Sequence, residues 1–283
     1  MRSLTETEMP WLKGLSLAGV AALALTACGG GEEEDASGLG LAQAGTLQVC
    51  ADVPYPPFEY YDTSGEVVGF DIDIAQAIAD DLDLELEIVQ TGFEGIQSGV
   101  ALNANQCDMA ISGMTITEER AGNMLFSEPY LDDNLGLLAR SDAGIETLDD
   151  LDGFEGTVGV QSETTGADEA AERGLDLREY TDSGLLIQGL ESGQVEAAIG
   201  NISILGYQAG ESEDLVFIDE IDTGEQLGIA VQLENQELID AINQVLADLK
   251  ESGELEELEQ RWFHSDTPEE GGEDAETDDE GDD

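Results

Sequence analysis

The stretch "CDMAISGMTITEER", residues 107–120, decides how this chain is read. Met109 to Ile111 is a short apolar run of the kind that fills a buried strand. It runs into a turn at Ser112 and Gly113, and then into Thr115, Thr117 and two glutamates that open a helix. Arg120 ends the stretch. The chain holds 8 Lys plus Arg against 66 Asp plus Glu, a formal net charge of −58, so a positive side chain just past a strand end calls for a reason. Backbone N–H groups at a helix start, hydroxyls and a rigid guanidinium fork together match a carboxylate.

Outward from this stretch, apolar strands alternate with amphipathic helices. "LQVCAD" (47–52) reads as a strand that enters the Pro-rich turn "VPYPPFEYYDTSG". "FDIDIAQAIADDL" (70–82) puts Phe70, Ile74 and Ile78 on one helical face, and "LELEIV" (84–89) alternates Leu84, Leu86 and Ile88 with acids, as a half-buried strand does. A helix is expected over 93–102, ahead of a strand at 107–112. The β-α-β-α-β order predicts a mostly parallel sheet with helices on both faces. A second unit repeats the pattern: strand 156–160, helix 164–174, strand 175–180, helix 184–193 and strand 195–200. A further strand at 227–233 and two helices over 235–263 close the fold. Two similar α/β lobes, with their strand C-termini facing each other, make a cleft.

Composition excludes several functions. With 283 residues and 41% hydrophobic content the chain can bury one large core or two of ordinary size. Its charge repels phosphate backbones, so no nucleic-acid partner is expected. His264 is the only histidine, which removes Ser-His-Asp triads, Cys-His pairs and His-rich zinc sites; no metal or cofactor is expected. Lysine occurs only at Lys13 and Lys250. A lysine-poor, carboxylate-rich surface suits molar salt, where the Debye length is about 3 Å, and points to a halophilic protein.

The two ends read differently from the middle. Lys13 precedes the apolar run Leu15 to Leu25, too short to span a bilayer stably and suited to a secretory signal. "LTAC" (25–28) resembles the lipobox of bacterial lipoproteins, which implies a signal peptide over 1–27 and lipidation of Cys28. Acyl chains there would fix the protein to the outer face of the cell membrane. Residues 28–45 are expected to form a flexible acidic linker and 264–283 a disordered acidic tail.

Further candidates lie at other strand ends. "QSETTGADEA" offers Thr164, Thr165 and the Gly166 N–H at a second helix start, and "DVPYPPFEY" puts Asp52, Tyr55 and Phe58 after a strand, with Phe93 after the next. Taken singly, such Ser and Thr residues are ordinary caps and such aromatics ordinary core. Together with Arg120 they form a pocket for a small zwitterion. The stretches "YPPFEY", "GFDIDIAQAIA", "DMAISGMTITEERAGNMLFSEPY", "GTVGVQSETT" and "LADLKESGELEELEQRWF" resemble the family 3 extracellular solute-binding proteins, over roughly residues 46–263.

That resemblance implies a two-lobe, type II periplasmic-binding-protein-like α/β fold with the ligand cleft between the lobes. Lobe 1 would be 46–133 plus 226–263, and lobe 2 would be 134–225. It implies a monomer that closes on an amino acid and delivers it to ABC permease subunits. Arg120 would clamp the ligand carboxylate, helped by the Thr115 N–H and hydroxyl and by Thr165, with Thr164 a further ligand-binding candidate. Ser112 and Gly113 would accept from the ammonium, and Tyr55 and Phe93 would sandwich the aliphatic part. Asp52 favours a basic or polar neutral side chain, and a single matched cation disfavours glutamate. Where the family usually has an Asp for the ammonium, this chain has Asn201, which keeps open an osmolyte such as ectoine or a betaine. A sensory lipoprotein, or a dehydratase using Glu59 or Glu163 as base, is the rival reading. Cys50 and Cys107 lie on strands expected to be neighbours in an oxidising compartment, so a disulfide is expected there, with two buried thiols as the alternative.

Overall fold

Two five-stranded sheets carry the structure, a computed structural model that describes residues 37–263. The expected signal peptide, Cys28 and the acidic tail lie outside the described residues. The strands of the first sheet are β1 (Thr46–Ala51), β2 (Glu85–Gln90), β3 (Met109–Ala110) and β4 (Met124–Phe126). Those of the second are β5 (Leu135–Arg140), β6 (Thr157–Gln161), β7 (Asp176–Tyr180), β8 (Ala197–Asn201) and β9 (Leu215–Ile221). The last strand, β10 (Ala230–Gln232), returns to the first sheet.

The order is β2-β1-β3-β10-β4 in the first sheet and β7-β6-β8-β5-β9 in the second. β1 pairs in parallel with β2 and β3, and β6 pairs in parallel with β7 and β8. β10 and β5 are the antiparallel returns. The α/β fold with two sheet-bearing lobes is therefore the one expected. Central strands of a covered parallel sheet are buried on both faces, and β1 follows this, with Leu47, Val49, Cys50 and Ala51 all shielded from solvent. The chain passes between the sheets twice, and the two passages pair antiparallel through Leu131–Asp132 and Gln226–Leu227.

Helix Phe70–Asp81 buries Phe70, Ile74 and Ile78 against the first sheet, the face its periodicity predicts. Other elements depart from expectation for identifiable reasons. The helix expected over 93–102 is two short ones, Phe93–Gln97 and Val100–Asn103, because Gly99 takes a left-handed φ of 74° that ends one turn and starts the next. Strands β4, β5 and β9 escape the sequence reading. Part of the expected linker is not a leash: Leu41 is buried in the core, the Ala42 N–H donates to Asp108 Oδ1 (2.6 Å), and Asn235 Nδ2 donates to the Leu39 carbonyl (2.8 Å). Leu39 and Leu41 give this segment enough apolar surface to dock.

Cys50 on β1 and Cys107 just before β3 form a disulfide, with Cα atoms 5.6 Å apart. It closes a loop with a sequence separation of 57 residues. In the chain-entropy description a loop of that length stabilises the fold by about 4 kcal/mol at 25 °C. Reduction with dithiothreitol is expected to lower the denaturant midpoint accordingly, and an unchanged midpoint would rule out a stabilising role.

Candidate functional site

The strand C-termini of both sheets converge on one small cavity. Asp52, Tyr55, Phe93, Ser112, Gly113, Thr115, Arg120, Thr164, Thr165 and Asn201 all line it. These are the ten candidates read from the sequence. Gln161, which is not among the sequence candidates, also lines it. It is the last residue of β6, directly before the Ser/Thr turn, and its position at a parallel strand end was the signal available.

Arg120 lies in the short helix Glu118–Ala121, which Thr117 caps by accepting the Arg120 N–H. The residue is 5% exposed. Nη1 donates to the Thr115 carbonyl (2.8 Å), Nη2 donates to the Glu163 carbonyl (3.0 Å), and Cζ stands 5.2 Å from the Phe93 ring centroid. Burial lowers its pKa from the ordinary arginine value, and the Glu225 charge works against that shift. A guanidinium has five donors, so the two carbonyl bonds hold the fork in place and leave others for a ligand.

The turn before it needs glycine. Gly113 has φ 51°, and a Cβ there would meet Tyr55 Cε1 at 2.7 Å. The Gly113 N–H donates to Asp71 Oδ2 (2.7 Å), while the Ser112 hydroxyl donates to Glu59 and accepts from the Asp52 N–H (3.1 Å). Three buried carboxyls, Glu59, Asp71 and Asp133, thus stand behind the cavity wall. Burial pushes Asp71 up to about 7 and Asp133 up to about 7.

Several bonds join residues at the ends of the two sheets. Asp52 Oδ2 accepts from Gln161 Nε2 (2.8 Å), and burial raises Asp52 to about 6 although that bond opposes the shift. The Tyr55 hydroxyl donates to Asn201 Oδ1 (3.1 Å). Thr164 caps helix Thr165–Glu172 through the Ala167 N–H (3.2 Å) and donates to the Gln161 carbonyl (2.8 Å). The Thr115 and Thr165 hydroxyls both donate to Glu225 Oε2, at 2.7 and 2.8 Å. Their protons were expected to serve a ligand carboxylate, and the structure gives them to the protein instead. Glu59 and Glu163 are not among the residues lining the cavity. Among the described residues no cluster of three His, Cys, Asp or Glu side chains suits a metal, and no helix is long and apolar enough to cross a membrane.

Known proteins resemble this chain in sequence and fold. An arginine-binding periplasmic protein of Mannheimia haemolytica is 35% identical over 217 residues, 74% of this chain and 87% of that protein. The arginine-binding extracellular protein ArtP of Bacillus subtilis is 33% identical over 259 residues, covering 89% of this chain and 97% of the relative. A solved ancestral arginine-binding protein bound to arginine superposes with a TM-score of 0.71 at 33% identity, over 77% of this chain and 98% of that one. The model of the bacterial extracellular solute-binding proteins, family 3, matches residues 47–265. By sequence and fold, the chain belongs to that family.

Proposed function

We propose that this protein captures a basic amino acid, L-arginine foremost, outside the cytoplasm and hands it to the permease of an ABC importer. One observation carries the choice of ligand: the hydroxyl protons in the cavity are already committed to protein acceptors. Ser112 gives its proton to Glu59, Thr115 and Thr165 to Glu225, Thr164 to the Gln161 carbonyl, and Tyr55 to Asn201. Each hydroxyl has one proton, so toward a ligand these groups only accept. Arg120 supplies the strong donor and Asp52 a buried carboxylate. A ligand with one carboxylate and many N–H groups fits that balance, and a dicarboxylate does not. The names of the two curated relatives support the same ligand.

Lobe 46–133 plus 226–263 and lobe 134–225 would close on the ligand about the paired passages near 131–132 and 226–227. Cys28 would anchor the chain by its acyl groups, and the charge of −58 suits a solution of near-molar salt. Binding without turnover is favoured because neither candidate base opens onto the cavity. Glu59 is fully buried and bonded to Ser112, and Glu163 Oε2 accepts from Gln97.

A thermal-shift panel in molar salt tests the reading, with arginine, lysine, citrulline, glutamine, glutamate, ectoine and glycine betaine. A ligand at a hundred times its Kd adds about 2.7 kcal/mol to stability. Arginine is expected to raise Tm most and glutamate not at all. A shift with ectoine or betaine alone would replace the substrate, and no shift across the panel would sink the proposal. Asp52 adds a pH signature. Arginine affinity should hold above pH 7 and weaken as pH falls through about 6, where that carboxyl takes a proton. Asp52→Asn should bind at least tenfold more weakly at pH 8 and show no such weakening, which calorimetry at pH 5 and 8 would check.

A further inference from the structure

Glu225 stands outside the cavity lining, on the second passage between the sheets, yet it bonds two residues that line the cavity. One oxygen, Oε2, accepts from Thr115, which follows β3 of the first sheet, and from Thr165, which follows β6 of the second. Its backbone is fixed from the other passage. Asn134 Oδ1 accepts from the N–H groups of Thr223 (3.2 Å), Gly224 (2.7 Å) and Glu225 (3.3 Å), and the Asp133 N–H donates to the Glu225 carbonyl (3.0 Å). The carboxylate is therefore delivered to one place by a pinned segment, and there it ties one sheet's threonine to the other's.

We propose that Glu225, held by Asn134, is a positioning residue that latches the two lobes in their closed arrangement and fixes both threonine protons away from the ligand. A carboxylate only accepts, and each hydroxyl has a single proton, so the two bonds set the direction of both groups. Hydrogen bonds to an ionised acceptor are roughly twice as strong as neutral ones. The latch makes the closed arrangement easier to populate, and apparent affinity scales with the fraction of molecules in the binding-competent form. It acts on closure, and by turning both hydroxyls into acceptors it also acts against a ligand with a second carboxylate, leaving the order among monocarboxylate ligands unchanged. Only the affinity part of this inference rests on the amino-acid reading; the latch itself does not.

The test compares the mature wild-type chain in molar salt with Glu225→Ala and Glu225→Gln, and with Asn134→Ala. Spin labels at the exposed positions Val100 and Leu185, on helices of the two lobes, report their separation without ligand. Glu225→Ala is expected to shift the distance distribution to longer values. It should also release L-arginine about tenfold faster, with the ranking of arginine, lysine and citrulline unchanged. Asn134→Ala should move in the same direction. Glu225→Gln, which keeps a neutral acceptor, should fall between alanine and wild type, and it serves as the test if the alanine variant does not fold. Distance distributions identical to wild type in the folded variants would overturn the latch. So would tighter arginine binding by Glu225→Ala, since that would mean Glu225 competes with the ligand for the threonine protons. If no amino acid binds the wild type, the proposed ligand fails while the distance measurement still decides the latch.

Discussion

Replacing Arg120 with alanine is expected to weaken arginine binding about a thousandfold, measured by calorimetry at fixed high salt. The cavity's other polar side chains are mostly turned into acceptors, so the ligand carboxylate loses its main charged donor. Two charge-assisted hydrogen bonds at roughly 1.5–3 kcal/mol each account for a loss of that size. Arg120→Lys should recover little of it. A lysine ammonium is a compact point charge on a flexible stem and cannot reproduce a planar fork that already holds the Thr115 and Glu163 carbonyls. Because the substitution also strands those two carbonyls, the melting temperature of the ligand-free variant has to be measured beside its affinity. A folded Arg120→Ala variant that still binds arginine within tenfold of wild type would remove the clamp from the mechanism.

Asp71→Asn is expected to stabilise the protein at pH 8 and to change it little at pH 4. Asp71 is wholly buried in the first turn of helix Phe70–Asp81, with Glu59, Asp133 and Tyr130 as its electrostatic neighbours. Its carboxyl titrates near 7 in the folded chain, against 3.8 for an ordinary aspartate, chiefly because burial disfavours the charge. Between those values the folded state holds a proton that the unfolded state has released, so stability falls as pH rises across that window. Above about pH 7 the full cost applies, on the order of 4 kcal/mol from the size of the shift. Asparagine removes that cost and still accepts from the Gly113 N–H. The expected gain at pH 8 is about 8–16 °C in Tm, given the usual 2–4 °C per kcal/mol for a domain of this size. Equal effects at pH 4 and pH 8 would show that Asp71 is not protonated in the folded state.

Much of the site was legible because it is written locally. Ser112, Gly113, Thr115 and Arg120 lie within nine residues of one strand-turn-helix, and Thr164 and Thr165 lie in a second such turn. Asp52, Tyr55 and Asn201 are also marked by strand ends. What stayed hidden depends on long-range pairing. Gln161 looks like the end of an apolar strand, and only the approach of Asp52, 109 residues away in sequence, gives it a partner. Glu225 is one of 66 acidic residues, and nothing local separates it from a solvated one. Its bond to Thr115 spans 110 residues. The same holds for Asp133, whose carboxylate accepts from the Ser203 hydroxyl (2.7 Å) at a distance of 70 residues. In so acidic a chain, charge alone does not distinguish a buried carboxyl from surface.

The fold shows the same division. Parallel strands framed by helices declared themselves through periodicity, as in helix Phe70–Asp81 and β2. The antiparallel strands β5 and β9 pair with each other at the second sheet's edge, through Leu215↔Arg140 to Ile221↔Leu135, with an irregularity between Phe217 and Asp219. β9 reads "LVFIDEI", a mixed string in which the bulge breaks the alternation that would otherwise mark a strand.

The most direct test of the account is calorimetric titration of L-arginine into the mature wild-type protein and into Arg120→Ala, both in molar salt. One site per chain is expected in the wild type, and heat reduced to near baseline in the folded variant. Arginine binding of equal strength in the two proteins would contradict it, as would the absence of heat from every amino acid with the wild type.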